Sequence, residues 1–152
     1  MKNIACIGVG YVGLVTGVCL ADLGNNVICV DIKEDAINKL NNGEVHFYEP
    51  GLSGMMLENL GKNRLTFTTD IKKAVQSSDI IFIAVGTPQS EDGSTNLSYV
   101  NKVVDDISKW INSNKIIVMK STVPVGTCKK VQELFNQKTK YLSQKYASSF
   151  PL

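Results

Sequence analysis

The stretch "CIGVGYVGLVTG", residues 6–17, decides the fold. Its apolar start is typical of a short buried strand, and three glycines, Gly8, Gly10 and Gly13, follow at the spacing G-x-G-x-x-G. Gly8 permits a tight turn, Gly10 lets a phosphate approach the backbone, and Gly13 lets a helix pack closely on the strand. The helix that follows would present its N-terminal amides and positive dipole end to an anion. This pattern predicts a strand, turn and helix that can hold a dinucleotide.

The helix after the glycines extends from Tyr11 to Leu23 by its apolar spacing. Val12, Val15, Cys19 and Leu23 recur at helical intervals and predict one buried face. Gly24, Asn25 and Asn26 end the helix.

An acidic residue closes the next strand, "VICVD", at Asp31. A carboxylate at that position can accept both hydroxyls of an adenosine ribose and repels a 2′-phosphate, which favours NAD over NADP. Lys33 weakens this exclusion of NADP. The alternative is that Asp31 only caps the helix that starts near Lys33. The glycine spacing in the same unit favours the cofactor interpretation.

Strands and helices alternate along the rest of the chain. The pattern predicts an α/β fold of the Rossmann type, with a doubly wound parallel sheet in strand order 3-2-1-4-5 and helices on both faces. Asp70 is expected to cap the helix after the third strand, and "DIIFIAVGTP" is typical of a central strand buried on both faces. Residues 1–138 form the predicted domain. Residues 139–152 are predicted to be an atypical tail, whose Tyr141, Tyr146 and Phe150 either pack over the sheet edge or are disordered.

Two turns at the carboxyl ends of strands four and five carry hydroxyl groups. "VGTP" contains Thr87, and "KSTVPVGT" contains Ser121 and Thr122. Both turns are expected on the rim to which the glycine loop points. Each alone is equally consistent with an ordinary turn and its capping hydroxyl, whereas together they favour a ligand site.

Composition and charge narrow the function classes. A chain of 152 residues with 43% hydrophobic content suits one domain, and a formal net charge of +2 with interspersed signs argues against nucleic-acid binding. The apolar runs are too short to cross a bilayer and no signal segment is evident, so a cytoplasmic protein is expected. Cys6, Cys19 and Cys29 are expected to be small buried hydrophobes, and Cys128 falls near a helix start. No metal site is expected.

The motifs together resemble one family. "GVGYVGLV", "VDI", "YEPGL", "VGTP", "DGSTNLSYV" and "KSTVPVGT", in this order and spacing, are similar to the N-terminal domain of the UDP-glucose 6-dehydrogenases. The GDP-mannose and UDP-N-acetylmannosamine dehydrogenases share the first and last motifs, but "YEPGL" with "DGSTNLSYV" resembles the UDP-glucose branch more closely. The resemblance extends from Met1 to about Gln137.

The resemblance implies an oxidoreductase that uses NAD to oxidise the C6 alcohol of a UDP-sugar to a carboxylate. Two hydride transfers would pass through a thiohemiacetal and a thioester on a cysteine. Asp31 would bind the adenosine ribose, and the Thr122 hydroxyl would help to order catalytic water. The other residues that it assigns to NAD(H) are Gly8, Val9, Gly10, Tyr11, Val12 and Gly13 at the diphosphate, Val85, Gly86, Thr87 and Pro88 along the cofactor, and Ser121, Thr122 and Val123 at the nicotinamide.

The sequence departs from the family's pattern at two places. Ala36 stands where the family commonly has Lys or Arg, near the adenosine phosphate edge. The family's segment with a catalytic glutamate, and its Lys, Asn and glycine-flanked Cys, have no counterpart in "TKYLSQKYASSFPL" or elsewhere. The chain alone is therefore expected to bind NAD without turnover, and the UDP-sugar only with further domains.

Alternative functions stay open at this stage. They are a non-catalytic dinucleotide-binding module or truncated remnant, and the N-terminal domain of a GDP-mannose or UDP-N-acetylmannosamine dehydrogenase. A hydroxyacid or hydroxyacyl dehydrogenase domain has the same fold but gives no reason for "YEPGL" or "STVPVGT". An exposed sheet edge would also favour a homo-oligomer.

Overall fold

The computed structural model describes residues 1–138 and 145–148, which form a single parallel sheet with helices around it. No helix in these residues is long and apolar enough to span a membrane. The strands are β1 Asn3–Ile7, β2 Asn26–Val30, β3 Leu65–Thr68, β4 Ile80–Ile83, β5 Ile116–Met119 and β6 Lys145–Ser148. The helices are α1 Tyr11–Asp22, α2 Glu34–Asn41, α3 Leu52–Gly61, α4 Ile71–Ser77, α5 Ser98–Trp110 and α6 Thr127–Lys138.

The sheet has the order β3-β2-β1-β4-β5-β6, and every pair of neighbours is parallel. The predicted order 3-2-1-4-5 is confirmed. The chain leaves β1 for β2 on one side and returns to β4 on the other, so a crevice opens at the carboxyl end of β1.

The sixth strand was not predicted from the sequence. Lys145–Ser148 pairs with β5, with Tyr146 opposite Ile117. It extends the sheet by one strand beyond β5. For this part of the chain the sequence allowed either packing over the sheet edge or disorder. Tyr141 and Phe150 lie outside the described residues. The boundary between a domain at 1–138 and a tail at 139–152 stays a prediction.

The core consists of two layers, one on each face of the sheet. Alternate residues of β1 face opposite sides, so Ile4 and Cys6 join one layer while Ala5 and Ile7 join the other. The first layer is covered by α1, α2 and α3, and the second by α4, α5 and α6. Burial on both faces explains why the strands are continuous apolar runs rather than alternating ones.

The predicted buried face of α1 is wrong. Val12 and Leu23 are 50% and 78% exposed, Cys19 is exposed and Val15 is only half-buried. The buried residues are instead Gly13, Leu14, Gly17, Val18 and Ala21. Small residues every fourth position let the helix lie directly on the strands. An added Cβ on Gly17 would be 2.4 Å from the Cys29 Sγ. The close approach that these small residues allow, together with the burial of Leu14 and Val18, therefore selects the face.

The four cysteines differ in their burial. Cys6 and Cys29 are fully buried, as predicted, and lie opposite each other on β1 and β2. The Cys6 contact and burial raise the pKa of the Cys29 thiol, so it stays protonated and unreactive. Cys19 is exposed, contrary to the prediction, because it lies on the outer face of α1. Cys128 is half-buried in the first turn of α6.

Candidate functional site

The glycine loop between β1 and α1 is fixed by close packing. Gly8 has a φ of +104°, and its N–H donates to the Val30 carbonyl at 2.7 Å. A Cβ on Gly8 would lie 2.5 Å from the Ala84 oxygen, and one on Gly13 would lie 1.9 Å from the Gly8 oxygen. Both distances are too short for any side chain, so these two positions require glycine. The predicted packing roles of the tight turn and of the helix contact are confirmed.

Gly10 differs because the space beside its Cα is open. Its backbone is extended, with φ −67° and ψ −175°, and within the described residues an added Cβ would meet no atom beyond its chain neighbours within 4 Å. Gly10 precedes α1, whose start has no side-chain cap and no acidic residue in its first turn. The first amides of a helix need an acceptor from outside the helix. Open space beside uncapped amides fits a diphosphate, which supplies acceptor oxygens and negative charge.

Asp31 lies beside this loop, immediately after β2. The Val9 N–H donates to its Oδ2 at 2.9 Å, and the Lys33 N–H donates to its Oδ1 at 3.1 Å. The residue that precedes α2 is Lys33, so Asp31 does not occupy the capping position itself. A carboxylate has about four acceptor sites, so oxygen lone pairs remain for ribose hydroxyls. The structure places Asp31 at the glycine loop, as the cofactor interpretation requires.

The turns after β4 and β5 are bonded to each other. The Thr87 hydroxyl donates to the Thr122 carbonyl at 2.9 Å, and the Ser121 hydroxyl donates to the Val85 carbonyl at 2.7 Å. The structure thus confirms that both turns lie on one rim. Since Ala84 also lies close to Gly8, the rim adjoins the glycine loop, and the three segments lie together at the carboxyl edge of the sheet where the crevice opens.

The remaining rim residues differ in how much they are available to a ligand. Val85 and Val123 are half-buried against the core. Thr122 is exposed, and no hydrogen bond of its hydroxyl is found within the residues that the structure describes. Gly86 and Pro88 are also exposed. Thr122 therefore has a free hydroxyl on the rim, while its contact with water or cofactor stays a prediction.

One contact beside the crevice was missed from the sequence. The Tyr11 hydroxyl donates to the Glu49 carboxylate, and the Tyr11 ring packs on Phe47 with 4.7 Å between centroids. The hydrogen bond to Glu49 is the main cause that raises the pKa of Tyr11 above its usual 10.0. Residues 44–51, the connection between α2 and α3, thereby reach the start of α1. The run of aromatic residues before Pro50 and Gly51 was the available signal.

Comparison with known proteins identifies the family. Residues 2–150 match the model of the UDP-glucose/GDP-mannose dehydrogenase family, NAD binding domain. The chain belongs to this family. Its cofactor is accordingly NAD. A dinucleotide fits the crevice that lies beside the glycine loop, Asp31 and the rim turns.

The similarity covers nearly the whole chain but a minor part of each relative. The UDP-glucose 6-dehydrogenase TuaD of Bacillus subtilis is 51% identical over 140 residues, which are 92% of this chain and 30% of that protein. The UDP-glucose dehydrogenase of Pyrobaculum islandicum superposes with a TM-score of 0.92 and 34% identity, over 99% of this chain and 36% of that one. The GDP-mannose dehydrogenase of Pseudomonas aeruginosa superposes with a TM-score of 0.90 and 34% identity, over 97% of this chain and 36% of that one. This member of the family thus spans about 30% of the length of the curated relative.

Proposed function

We propose that the chain is the cofactor-binding part of an NAD-dependent dehydrogenase that oxidises UDP-glucose at C6 to UDP-glucuronate. The observation that carries the proposal is the uncapped start of α1 beside Gly10, with Asp31 bonded to the same loop. An anion-binding helix end and a ribose-binding carboxylate, at the crevice of a parallel sheet, are the two parts that a dinucleotide site needs.

The choice of UDP-glucose rests on the relatives. TuaD, a UDP-glucose 6-dehydrogenase, is 51% identical over 92% of this chain. The motifs "YEPGL" and "DGSTNLSYV" support the same choice. GDP-mannose and UDP-N-acetylmannosamine are the alternative substrates.

The chain's own residues would each have a distinct task. The Val9 amide already donates to Asp31, so the amides from Gly10 to Gly13 would bind the diphosphate. Asp31 would accept the adenosine ribose hydroxyls. Val85, Gly86, Thr87 and Pro88 would line the path to Ser121, Thr122 and Val123, where the nicotinamide would lie. Bound NAD supplies the site with an acceptor for hydride. The exposed Thr122 hydroxyl would hold a water molecule at that end.

We expect the 152 residues alone to bind NAD and not to oxidise a sugar. The sequence contains no glycine-rich cysteine loop like the one that carries the family's nucleophile. Cys6 and Cys29 are buried, and Cys19 lies on the outer face of α1. Positioning and covalent catalysis require such groups next to the substrate.

The test is titration of the chain with NADH, followed by the change in nicotinamide fluorescence. We expect saturable binding with a Kd of about 1 mM or below. Asp31→Asn should raise the Kd about tenfold, because one hydrogen bond to a charged acceptor contributes about 1.5–3 kcal/mol. Asp35→Asn, an exposed carboxylate in the first turn of α2, is the control and should bind as the unsubstituted chain does.

Two results would refute parts of the proposal. No binding up to millimolar NADH would exclude the cofactor function of the isolated chain. Equal loss in Asp31→Asn and Asp35→Asn would show that general charge, and not the ribose contact, determines affinity.

A further inference from the structure

The contact between Tyr11 and Glu49 lies at the start of the helix proposed to bind the diphosphate. Tyr11 is the first residue of α1 and directly follows Gly10. Its hydroxyl donates to a Glu49 oxygen, and its ring packs on Phe47. Gly51, with a φ of +80°, then turns the chain into α3. The pair therefore ties the connection 44–51 to the mouth of the crevice.

Glu49 brings a negative charge to this mouth. A carboxylate only accepts hydrogen bonds, and it is stabilised near the free amides and positive dipole end of a helix start. A free Glu49 side chain could compete with a ligand for these amides. Among the described residues Glu49 has no ion pair with a lysine or arginine. The Tyr11 hydroxyl is the donor that occupies it.

We propose that Tyr11 is a positioning residue that holds the Glu49 carboxylate away from the first amides of α1 and so leaves them open to the diphosphate of the cofactor. The inference rests on the proposed function of the crevice. It concerns the Tyr11 side chain, which acts on the ligand through Glu49, and not the Tyr11 backbone amide. The raised pKa of Tyr11 agrees with a hydroxyl that stays protonated and keeps donating near neutral pH.

A purely mechanical role for the pair predicts different results. If the bond only anchors residues 44–51, its loss should weaken binding whether or not residue 49 is charged. If Tyr11 restrains a competing charge, removal of that charge should cancel the loss. Gln at position 49 keeps an oxygen that accepts from Tyr11 and removes the charge, so it separates the two roles.

The experiment is an NADH titration of Tyr11→Phe, Glu49→Gln and the double variant at low ionic strength. We expect Tyr11→Phe to raise the Kd about threefold, since a charge at a helix start changes binding about two- to fivefold. Glu49→Gln should lower the Kd by about twofold. The double variant should lie within about twofold of the unsubstituted chain. High salt should remove most of the Tyr11→Phe defect, because exposed charges are screened.

Two matched controls lie in the same connection. Tyr48→Phe removes a hydroxyl from a side chain that is 87% exposed, and Glu44→Gln removes a charge from an exposed one. Both should leave the Kd unchanged. Thermal unfolding of each variant should verify that the fold is intact.

The outcomes separate this inference from the proposed function. If the unsubstituted chain binds no NADH, the proposed function is wrong and the inference is wrong with it. If the chain binds NADH but Tyr11→Phe binds equally well, only the inference is wrong. It is also overturned if the double variant is as weak as Tyr11→Phe, or if salt leaves that defect unchanged.

Discussion

Replacing Gly10 by alanine should weaken NADH binding without destabilising the protein. The backbone at Gly10 has φ −67° and ψ −175°, which any residue can adopt. Apart from its chain neighbours, no atom of the residues that the structure describes lies within 4 Å of the new methyl group. A glycine-to-alanine change at such a position stabilises a protein by about 0.4–1 kcal/mol, because it restricts the unfolded chain. The free energy of unfolding should therefore stay constant or rise slightly.

Binding should respond in the opposite direction. The methyl group would stand in the open space beside the first amides of α1, where we place the diphosphate. Loss of one hydrogen bond to a charged oxygen costs about 1.5–3 kcal/mol, which corresponds to a rise in Kd of about tenfold to 100-fold. The same substitution thus separates folding from binding, which few positions in a nucleotide site allow.

The assay combines urea unfolding with NADH titration, and Gly54→Ala is the control. Gly54 lies within α3 and also has open space around its Cβ position. Alanine there should stabilise the helix by about 1 kcal/mol and leave the Kd unchanged. The reasoning is refuted if Gly10→Ala binds NADH as tightly as Gly54→Ala does, since the space at Gly10 would then not be the diphosphate position.

Three further predictions concern stability. Gly13→Ala should lower the free energy of unfolding by about 3 kcal/mol, because its Cβ would be 1.9 Å from the Gly8 oxygen. If Gly13→Ala were as stable to urea as Gly54→Ala, the close packing at Gly13 would be contradicted. Ser121→Ala should cost about 1 kcal/mol in the same assay through the lost bond to Val85, and no loss would show that the rim turns are held otherwise. Burial lowers the pKa of Lys115 in the folded protein below its usual 10.5. Between the lowered pKa and 10.5 the unfolded chain binds more protons than the folded one, so the free energy of unfolding should rise with pH in this range. Subtracting the unfolding free energies of Lys115→Met from those of the unsubstituted chain should isolate this rise, and a flat difference between pH 8 and about 10.5 would exclude it.

The alternation of strands and helices was predictable because two-sided burial leaves a strong mark on the sequence. β4 belongs to an apolar run that follows Asp79, and Ile81 and Ile83 are indeed fully buried. The glycine spacing similarly determined the loop, since Gly8 and Gly13 fill positions that exclude any Cβ. These features follow from local composition and from general rules of parallel sheets.

The buried face of α1 was not predictable from the size of its apolar residues. Gly13, Gly17 and Ala21 contribute little hydrophobic surface, yet they decide how closely the helix approaches β1 and β2. A search for large side chains at helical spacing therefore selected Val12, Cys19 and Leu23 on the exposed side. Small residues at every fourth position were the better signal.

The individual hydrogen bonds of the site depend on tertiary distance and could not be predicted from the sequence, although the aromatic residues before Pro50 were a signal that residues 44–51 make a contact. Tyr11 and Glu49 are 38 residues apart, and Thr87 and Thr122 are 35 apart. The position of Thr87 and Thr122 on the same rim could be expected from strand order. Which hydroxyl would donate to which oxygen could not, because two adjacent turns allow several pairings.

The hydrogen bonds between the two rim turns determine which groups their hydroxyls can still bind. Thr87 and Ser121 each commit their hydroxyl hydrogen to a backbone carbonyl, so towards the crevice they offer lone pairs only. A phosphate has no hydrogen to give them and gains nothing there, whereas an amide NH₂ or a sugar hydroxyl does. The opposite end, at the start of α1, offers backbone hydrogens instead. At this part of the rim the Thr87 and Ser121 hydroxyls therefore favour a hydrogen donor over a phosphate, whereas the start of α1 favours an anion.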